Sequence, residues 1–230
     1  MKIKTIAALA ALMTASAVKA QTKIETTAGA DLVSSYVWRG QDLGGVSIQP
    51  TLGASYGGLS LTAWGSAEFS NESGNSKEFD LTLAYQTGGF SIGVTDYWFG
   101  GTDYGHYSAH STSHVWEAGI GYDFGTVALN AYTNFAGADG VNKDGKRAYS
   151  TFITATAPFK LGGLEWSATI SAVPFATSFY KNTNGFAVTE LGLGAKKKIK
   201  ITDSFSLPVF GKVVVNPSTE GAYFVAGISL

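Results

Sequence analysis

The sequence contains no cysteine, carries few charges and, beyond its first 20 residues, has no long apolar run. The missing cysteines exclude disulfide bonds and thiolate metal sites. Charged residues make up 14% of the chain. No segment after residue 20 approaches the length of about 18 apolar residues that indicates a membrane helix. The protein must therefore be held together by a large core, or by a membrane that it crosses without helices.

The first 20 residues have the pattern of a secretory signal peptide. Lys2 and Lys4 precede an apolar stretch that runs to Ala17, and a small-residue cleavage pattern ends at Ala20. We expect cleavage after Ala20, because the apolar part is too short for the alternative, a spanning anchor. Residues 21–230 then keep 13 of the 16 basic residues against 17 acidic ones, which argues against a nucleic-acid partner.

Alternation with a period of two residues dominates residues 21–230 and predicts β-strands. From Val46 to Tyr56 (VSIQPTLGASY), mostly apolar residues share one face and polar residues share the other. The pattern repeats from Leu59 to Phe69 after Gly57-Gly58, a hairpin signal. Only helices and closed barrels satisfy all backbone groups in lipid. We therefore predict one all-β domain, an antiparallel up-and-down transmembrane β-barrel.

The alternation predicts about twelve strands, near residues 27–39, 46–56, 59–69, 78–87, 90–99, 115–124, 127–136, 148–159, 164–174, 186–196, 204–215 and 221–230. Tight glycine turns alternate with longer polar loops, as in barrels with short periplasmic turns and long external loops. The even strand count places both chain ends in the periplasm. We expect the outer membrane of a Gram-negative bacterium, where the partners are the lipid bilayer, lipopolysaccharide and, during insertion, the barrel-assembly machinery.

Aromatic residues favour a membrane barrel over the alternative, an exported soluble β-protein. They gather on the apolar face beside the turns at both ends, as two bilayer interfaces select. A soluble barrel would carry Lys and Arg on its outer strand faces, whereas the polar faces here carry mainly Ser, Thr, Gly, Asn and Gln. The aromatic residues are Tyr56, Tyr85, Phe90, Tyr122, Phe124, Phe159 and Trp166 at one end, and Trp38, Phe69, Phe79, Trp98, Trp116 and Phe135 at the other.

One carboxylate breaks this scheme. Asp96 shares a face with Phe90, Ile92 and Val94, which would expose it to lipid. We expect a β-bulge between Val94 and Tyr97 that turns Asp96 inward.

The segment from Ser35 to Gly40 (SYVWRG), with Gln49 shortly after it, resembles the opening strand of TorF-type porins of bacterial outer membranes. In that family a similar Ser-x-Tyr-aromatic-Arg-Gly element has a nearby glutamine, and the match covers roughly residues 28–70. The resemblance implies an outer-membrane barrel assigned as a porin, with no catalytic residue. The last residues, AYFVAGISL, also resemble a barrel-terminal strand but end in Leu230 where phenylalanine is usual.

Arg39 follows the aromatic end of the first predicted strand. With Tyr36 and Trp38 toward lipid, Arg39 points into the lumen near the external mouth, because an arginine facing lipid at mid-depth would cost about 2–4 kcal/mol. The same register places other polar and charged residues inside, toward the loop ends of their strands: Gln49, Glu68, Glu78, Asp80, Glu117, Glu190 and Lys212.

These residues predict a pore lining in which a basic wall, Arg39 and Lys212, faces an acidic wall across a narrow lumen. Such a lining would orient small polar solutes, and its excess acid would favour cations. We expect a porin-like channel for passive diffusion of small hydrophilic solutes. The alternative is a non-conducting barrel with a structural or loop-mediated binding role, because the same charges can pair and fill a small lumen. The sequence leaves open whether loop 100–114 plugs the pore.

All three histidines, His106, His110 and His114, lie in that loop at a spacing of four and are weak candidates for a metal site. The glycine, serine and threonine content of the loop favours solvated imidazoles instead, and no cofactor is implied.

An enzyme is a third alternative, which we do not favour. Lipid hydrolysis would need a serine and a histidine together on the lipid face, and the predicted strand interiors contain no histidine. A barrel protease would need acidic residues with a histidine at the mouth. Asp103, Glu117 and His114 are candidates there by proximity alone.

Overall fold

The computed structural model describes residues 23–70, 77–108, 111–181 and 183–230. The predicted signal peptide, residues 1–20, lies outside the described residues. Within these ranges no helix is long and apolar enough to cross a membrane. The strands of the described residues are β1 Glu25–Val33, β2 Tyr36–Trp38, β3 Gln41–Gly44, β4 Ser47–Tyr56, β5 Leu59–Glu68, β6 Lys77–Thr87, β7 Phe90–Trp98, β8 His114–Asp123, β9 Ala128–Gly137, β10 Thr151–Leu161, β11 Leu164–Val173, β12 Ala187–Lys200, β13 Ser206–Asn216 and β14 Gly221–Ser229.

Twelve of these strands, β1 and β4 to β14, form a closed antiparallel barrel. Each strand pairs with its neighbours in the chain, and β1 closes the ring against β14 over residues 31–33. Ser34 lengthens this seam, since its main-chain N donates to the Ala226 carbonyl (2.8 Å) and its Oγ accepts from the Ala226 N (2.9 Å). The prediction of an all-β, up-and-down barrel of twelve strands is confirmed.

The period-two pattern separates an apolar outer face from a polar inner face. Leu52, Leu61 and Leu83 are exposed on the outside of the wall. On the inside, small hydroxyl side chains bond across neighbouring strands, for example Thr82 and Thr95, whose Oγ1 atoms are 2.9 Å apart. Cross-strand pairs of this kind stabilise sheets. The barrel therefore has the reverse of a soluble protein's arrangement.

The first predicted strand, 27–39, is wrong in its second half. β1 ends at Val33, and residues 34–46 form a separate hairpin of β2 and β3, here called the lumen hairpin. Its two-residue turn consists of Arg39 (φ 50°) and Gly40 (φ 75°), both left-handed as in a type I′ turn. Because β2 is itself a strand, Tyr36 and Trp38 alternate just as wall residues do, and period alone cannot distinguish the two locations.

The predicted bulge at Asp96 is also wrong. β7 pairs with β6 and with β8 without a register shift, so Asp96 stays on the outer face, opposite Leu81 and Trp116. Residues 99–108 and 111–113 fold over this patch, where Tyr104 packs on Phe79 with ring centroids 5.3 Å apart. The described part of loop 100–114 therefore lies on the outer wall and not in the lumen. Bulges occur instead at Trp116/Glu117 and Ser171/Ala172.

Glycine at position 40 is required by close approach of the hairpin tip to the wall. A Cβ at Gly40 would overlap the carbonyl oxygen of Thr189 in β12, and φ is already left-handed. We expect Gly40→Ala to lower the free energy of unfolding of the refolded barrel by about 2–4 kcal/mol, the sum of backbone strain and overpacking. Urea unfolding followed by tryptophan fluorescence measures this.

Gly57→Ala is the matched control, because Gly57 has φ 57° but no heavy atom within 4 Å of an added Cβ. It should lose only the strain of about 1–2 kcal/mol. Equal losses in the two variants would contradict the contact between hairpin tip and wall.

Candidate functional site

The lumen hairpin crosses the barrel. Near its base, the Tyr36 ring lies 5.6 Å from that of Trp64 in β5. At its tip, Asn216 of β13 donates from Nδ2 to the Gly40 carbonyl (2.9 Å). In the ring of twelve strands, β9 lies opposite β1, and Arg39 reaches Glu117 of the adjacent β8. The hairpin therefore spans the lumen from the strand that carries it to the far wall.

Arg39 forms a buried, bidentate ion pair with Glu117. Its Nη1 donates to Glu117 Oε2 (2.5 Å) and its Nη2 to Oε1 (2.7 Å). Nη1 also donates to the Tyr180 hydroxyl (2.6 Å). Burial alone would favour the neutral guanidine, but the Glu117 carboxylate outweighs it and holds the pKa of Arg39 well above its ordinary value. The guanidinium therefore keeps its charge, and its planar fork matches the carboxylate.

Three aromatic rings surround the same guanidinium. The Cζ atom of Arg39 lies 4.3 Å from the ring centroid of Trp38, 4.5 Å from that of Tyr132 and 4.7 Å from that of Phe152. Cation–π contacts are strongest where the cation is desolvated, as it is here. We call this set, Glu117, Tyr132, Phe152 and Tyr180 together with Trp38, the guanidinium pocket.

Two loops at the long-loop end of the barrel, residues 138–150 and the described residues 174–181 and 183–186, form a lid above the hairpin. Ser178 donates from its main-chain N to the Val141 carbonyl (2.9 Å), and the Oγ of Ser150 lies 2.5 Å from the Oγ1 of Thr177. These bonds hold Phe179 against Trp38, with ring centroids 6.4 Å apart. The lid therefore positions Tyr180 against Arg39 and covers the tip of the hairpin at the long-loop end.

The hairpin and the wall together fill the half of the lumen toward the long-loop end. Every wall strand contributes a buried, inward-facing side chain near its long-loop end, a set that we call the closing layer. Toward the short-turn end the inward residues are mainly small and half-buried, as at Thr62, Thr82 and Thr95. The closing layer comprises Val33, Ser47, Ser66, Glu78, Tyr97, Glu117, Asn134, Phe152, Val173, Glu190, Asn216 and Val225.

The residues predicted to line a pore all face the lumen, but they do not form two separated walls. Glu68 Oε1 accepts from the Gly45 N (3.0 Å) at the base of the hairpin, and Gln49 Nε2 donates to Ser66 Oγ (3.4 Å). Lys212 donates to Glu190 (2.6 Å). The basic residues are thus in direct contact with acidic ones. The expectation of a basic wall facing an acidic wall is wrong, because Arg39 belongs to the hairpin.

Glu78 and Asp80 form a second acidic site beneath the hairpin. Both carboxyl groups are buried, and they interact with each other and with the Tyr36 hydroxyl. Glu78 Oε1 and Asp80 Oδ1 have no hydrogen-bond partner among the described residues. Among the described residues neither carboxyl group forms an ion pair with a basic side chain, in contrast to Glu117.

The histidines do not come together. His114 is the first residue of β8 and lies on the outer face, where its Nδ1 is 2.8 Å from Asp96 Oδ1 and its Nε2 is 2.6 Å from the Tyr104 carbonyl. Both ring nitrogens are therefore occupied. His106 lies in the loop, His110 lies outside the described residues, and no group of three metal-ligating side chains occurs in the part of the chain that the structure describes. His114 and Glu117 face opposite sides of the wall.

The chain matches no family model and no curated protein. Sequence reasoning found Arg39 and Glu117 but missed Tyr132, Phe152 and Tyr180. Tyr132 and Phe152 lie on the inward faces of β9 and β10, and large aromatic residues among small polar ones on an inward face are the signal that was available.

Removing the Arg39 guanidinium should strongly destabilise the barrel. Arg39→Met leaves Glu117 buried without its cation, which typically costs about 3–5 kcal/mol. We expect a loss of this size in urea unfolding of the refolded protein. The double variant Arg39→Met/Glu117→Met should recover much of it, because no uncompensated charge then remains.

Lys196→Met serves as the comparison, since the side chains of Lys196 and Glu165 are each 57% exposed and water screens their pairing. Its loss should be smaller, about 0.5 kcal/mol. If Arg39→Met were no more destabilising than Lys196→Met, the pair of Arg39 and Glu117 would not anchor the hairpin.

Proposed function

We propose that the protein is a channel of a Gram-negative outer membrane for small hydrophilic solutes, held closed by the lumen hairpin. Support for the bilayer comes from the outer wall, where large apolar side chains are exposed on strand after strand, including Leu59, Ile92, Leu129 and Ile170. A surface of this extent is not stable in water. The resemblance to TorF-type porins fits this proposal.

Exposed aromatic residues mark both ends of the apolar wall. Tyr56, Tyr122 and Phe159 are exposed at the short-turn end, and Phe69 and Phe135 at the long-loop end. Aromatic girdles of this kind sit at the two bilayer interfaces. Trp38, which was predicted from the sequence to belong to the girdle at the long-loop end, lies inside the lumen. The short-turn end, where β1 begins, is the one we assign to the periplasm.

The channel proposal rests mainly on one observation: the lumen is closed by a hairpin that lies inside the barrel but is not part of its wall. The twelve wall strands form a complete hydrogen-bonded ring to which β2 and β3 contribute no strand. The tip is held mainly by side-chain contacts, among them the Arg39 pair and the Asn216 bond. The hairpin can therefore withdraw while the wall stays closed on itself, and withdrawal empties the space that the hairpin occupies between the side chains of the closing layer.

A preference for cations follows because the hairpin carries Arg39 out of the lumen when it withdraws. In the closing half of the lumen, the inward charges among the described residues are the bases Arg39 and Lys212 and the acids Asp31, Glu68, Glu78, Asp80, Glu117 and Glu190. Withdrawal of the hairpin removes Arg39 and leaves the acids on the wall. An acidic ring at a constriction favours cations.

A non-conducting barrel is the second candidate, and the filled closing layer with its lid favours it. Planar-bilayer recording separates the two. We expect wild-type protein to be mostly closed, and a variant in which residues 35–45 are replaced by two glycines to pass a steady current with a cation-selective reversal potential under a salt gradient. Silence from this variant, once shown to be folded and inserted, would reject the channel.

Glu78→Gln/Asp80→Asn in the hairpin-less background should reduce the cation selectivity without abolishing the current. Asp103→Asn is the matched control, because Asp103 is exposed in the loop over the outer wall and its charge does not face the lumen. If both changes shifted the reversal potential equally, the selectivity would not arise from the lumen.

A further inference from the structure

Most of the guanidinium pocket does not belong to the hairpin. Glu117 comes from β8, Tyr132 from β9 and Phe152 from β10, while Tyr180 comes from the lid. Only Trp38 would leave with Arg39. The wall therefore keeps a carboxylate flanked by aromatic rings when the hairpin withdraws.

These remaining groups are positioned by contacts of their own. The Tyr97 hydroxyl donates to Glu117 Oε1 (3.0 Å), which orients the carboxylate independently of Arg39. The rings of Phe152 and Tyr180 lie 5.6 Å apart and belong to one buried cluster with Val173. A site whose side chains are fixed in advance binds with little loss of conformational entropy.

The backbone conformation at Arg39 indicates that arginine stands here for its side-chain contacts and not because it suits the turn. Two-residue turns with both φ values positive favour Asn-Gly, because asparagine tolerates the left-handed region. Arginine at φ 50° is strained by comparison. The position thus places a guanidinium in the pocket at some expense to the turn.

We propose that the wall part of the guanidinium pocket is a binding site for a solute bearing a guanidinium or amidinium group, and that Arg39 occupies it as an internal substitute in the closed state. The chemistry of the groups selects this class. A carboxylate at this geometry accepts two parallel N–H donors from a planar cation, and the rings cover the faces of that plane. An ammonium ion lacks the fork, and an anion would meet Glu117.

Binding and closure therefore exclude each other. One carboxylate accepts one fork, so a solute that enters the pocket displaces Arg39 and releases the tip of the hairpin. In this way the solute class that the channel admits would also open it. The transport role rests on the proposed channel function, whereas the binding site itself does not.

Arg39→Asn tests the site directly, because asparagine suits the turn while the pocket loses its internal occupant. Methylguanidinium chloride at up to tens of millimolar should raise the thermal unfolding midpoint of this variant in a saturable way, and should raise that of wild type less. Urea, which has the shape without the charge, and methylammonium, which has the charge without the fork, should give little or no rise. Arg39→Asn/Glu117→Gln should lose the response. Equal responses to methylguanidinium and methylammonium, or none to either, would overturn the proposal.

A second measurement keeps Arg39 in place and so does not depend on the stability of that variant. The chain has no cysteine, so Gln41→Cys introduces a single thiol at a hairpin position that is 6% exposed. Methylguanidinium should increase its rate of labelling by a water-soluble maleimide severalfold, whereas urea at the same concentration should not. An unchanged rate would overturn displacement of the hairpin. If methylguanidinium binds but no bilayer current is seen, the channel proposal is rejected and the binding site stands. If current is seen without binding, the binding site is rejected and the channel proposal stands.

Discussion

The ion pair between Arg39 and Glu117 is the contact on which the closed lumen depends. A buried carboxylate without a partner is strongly unfavourable, so Glu117 constrains where the hairpin tip can settle. Once Arg39 is there, Trp38 packs against Tyr97, and the lid brings Tyr180 onto the same guanidinium. Buried ion pairs add little stability compared with apolar packing, but they make wrong placements costly. The pair therefore specifies the position of the hairpin more than it strengthens the barrel.

The wall and the hairpin are stabilised by different interactions, so the hairpin can open while the wall stays folded. The wall is held by a continuous ring of main-chain hydrogen bonds that leaves no unpaired edge strand. The hairpin is held by a few side-chain contacts in a polar lumen, with a strained residue at its turn. A segment held by few contacts and strained at its turn is among the least stable parts of a structure and opens before the rest.

The sequence predicted the wall well, because period two and glycine turns are local signals. The observed wall strands agree with the predicted ones to within a few residues, except for β1, which ends at Val33. The hairpin was missed because Tyr36 and Trp38 alternate as wall residues do. Asp96 was misjudged for another reason. One of its partners is His114, the first residue of β8, and the other is the hydroxyl of Tyr107 at 3.0 Å, from a loop that no local pattern places on the outer wall. Long-range pairing decided both cases, and a single sequence carries little information about it.

Hydrogen–deuterium exchange of the refolded protein, resolved by residue, tests the independence of the hairpin most directly. We expect the amides of residues 36–44 to exchange faster than those of β8 and β9 but to remain protected relative to an unfolded chain. We also expect Arg39→Asn to accelerate exchange in the hairpin and lid while leaving these wall strands unchanged. Exchange of the hairpin and the wall at a common rate, in both proteins, would show that they open as one unit and would contradict a closure that is separable from the barrel.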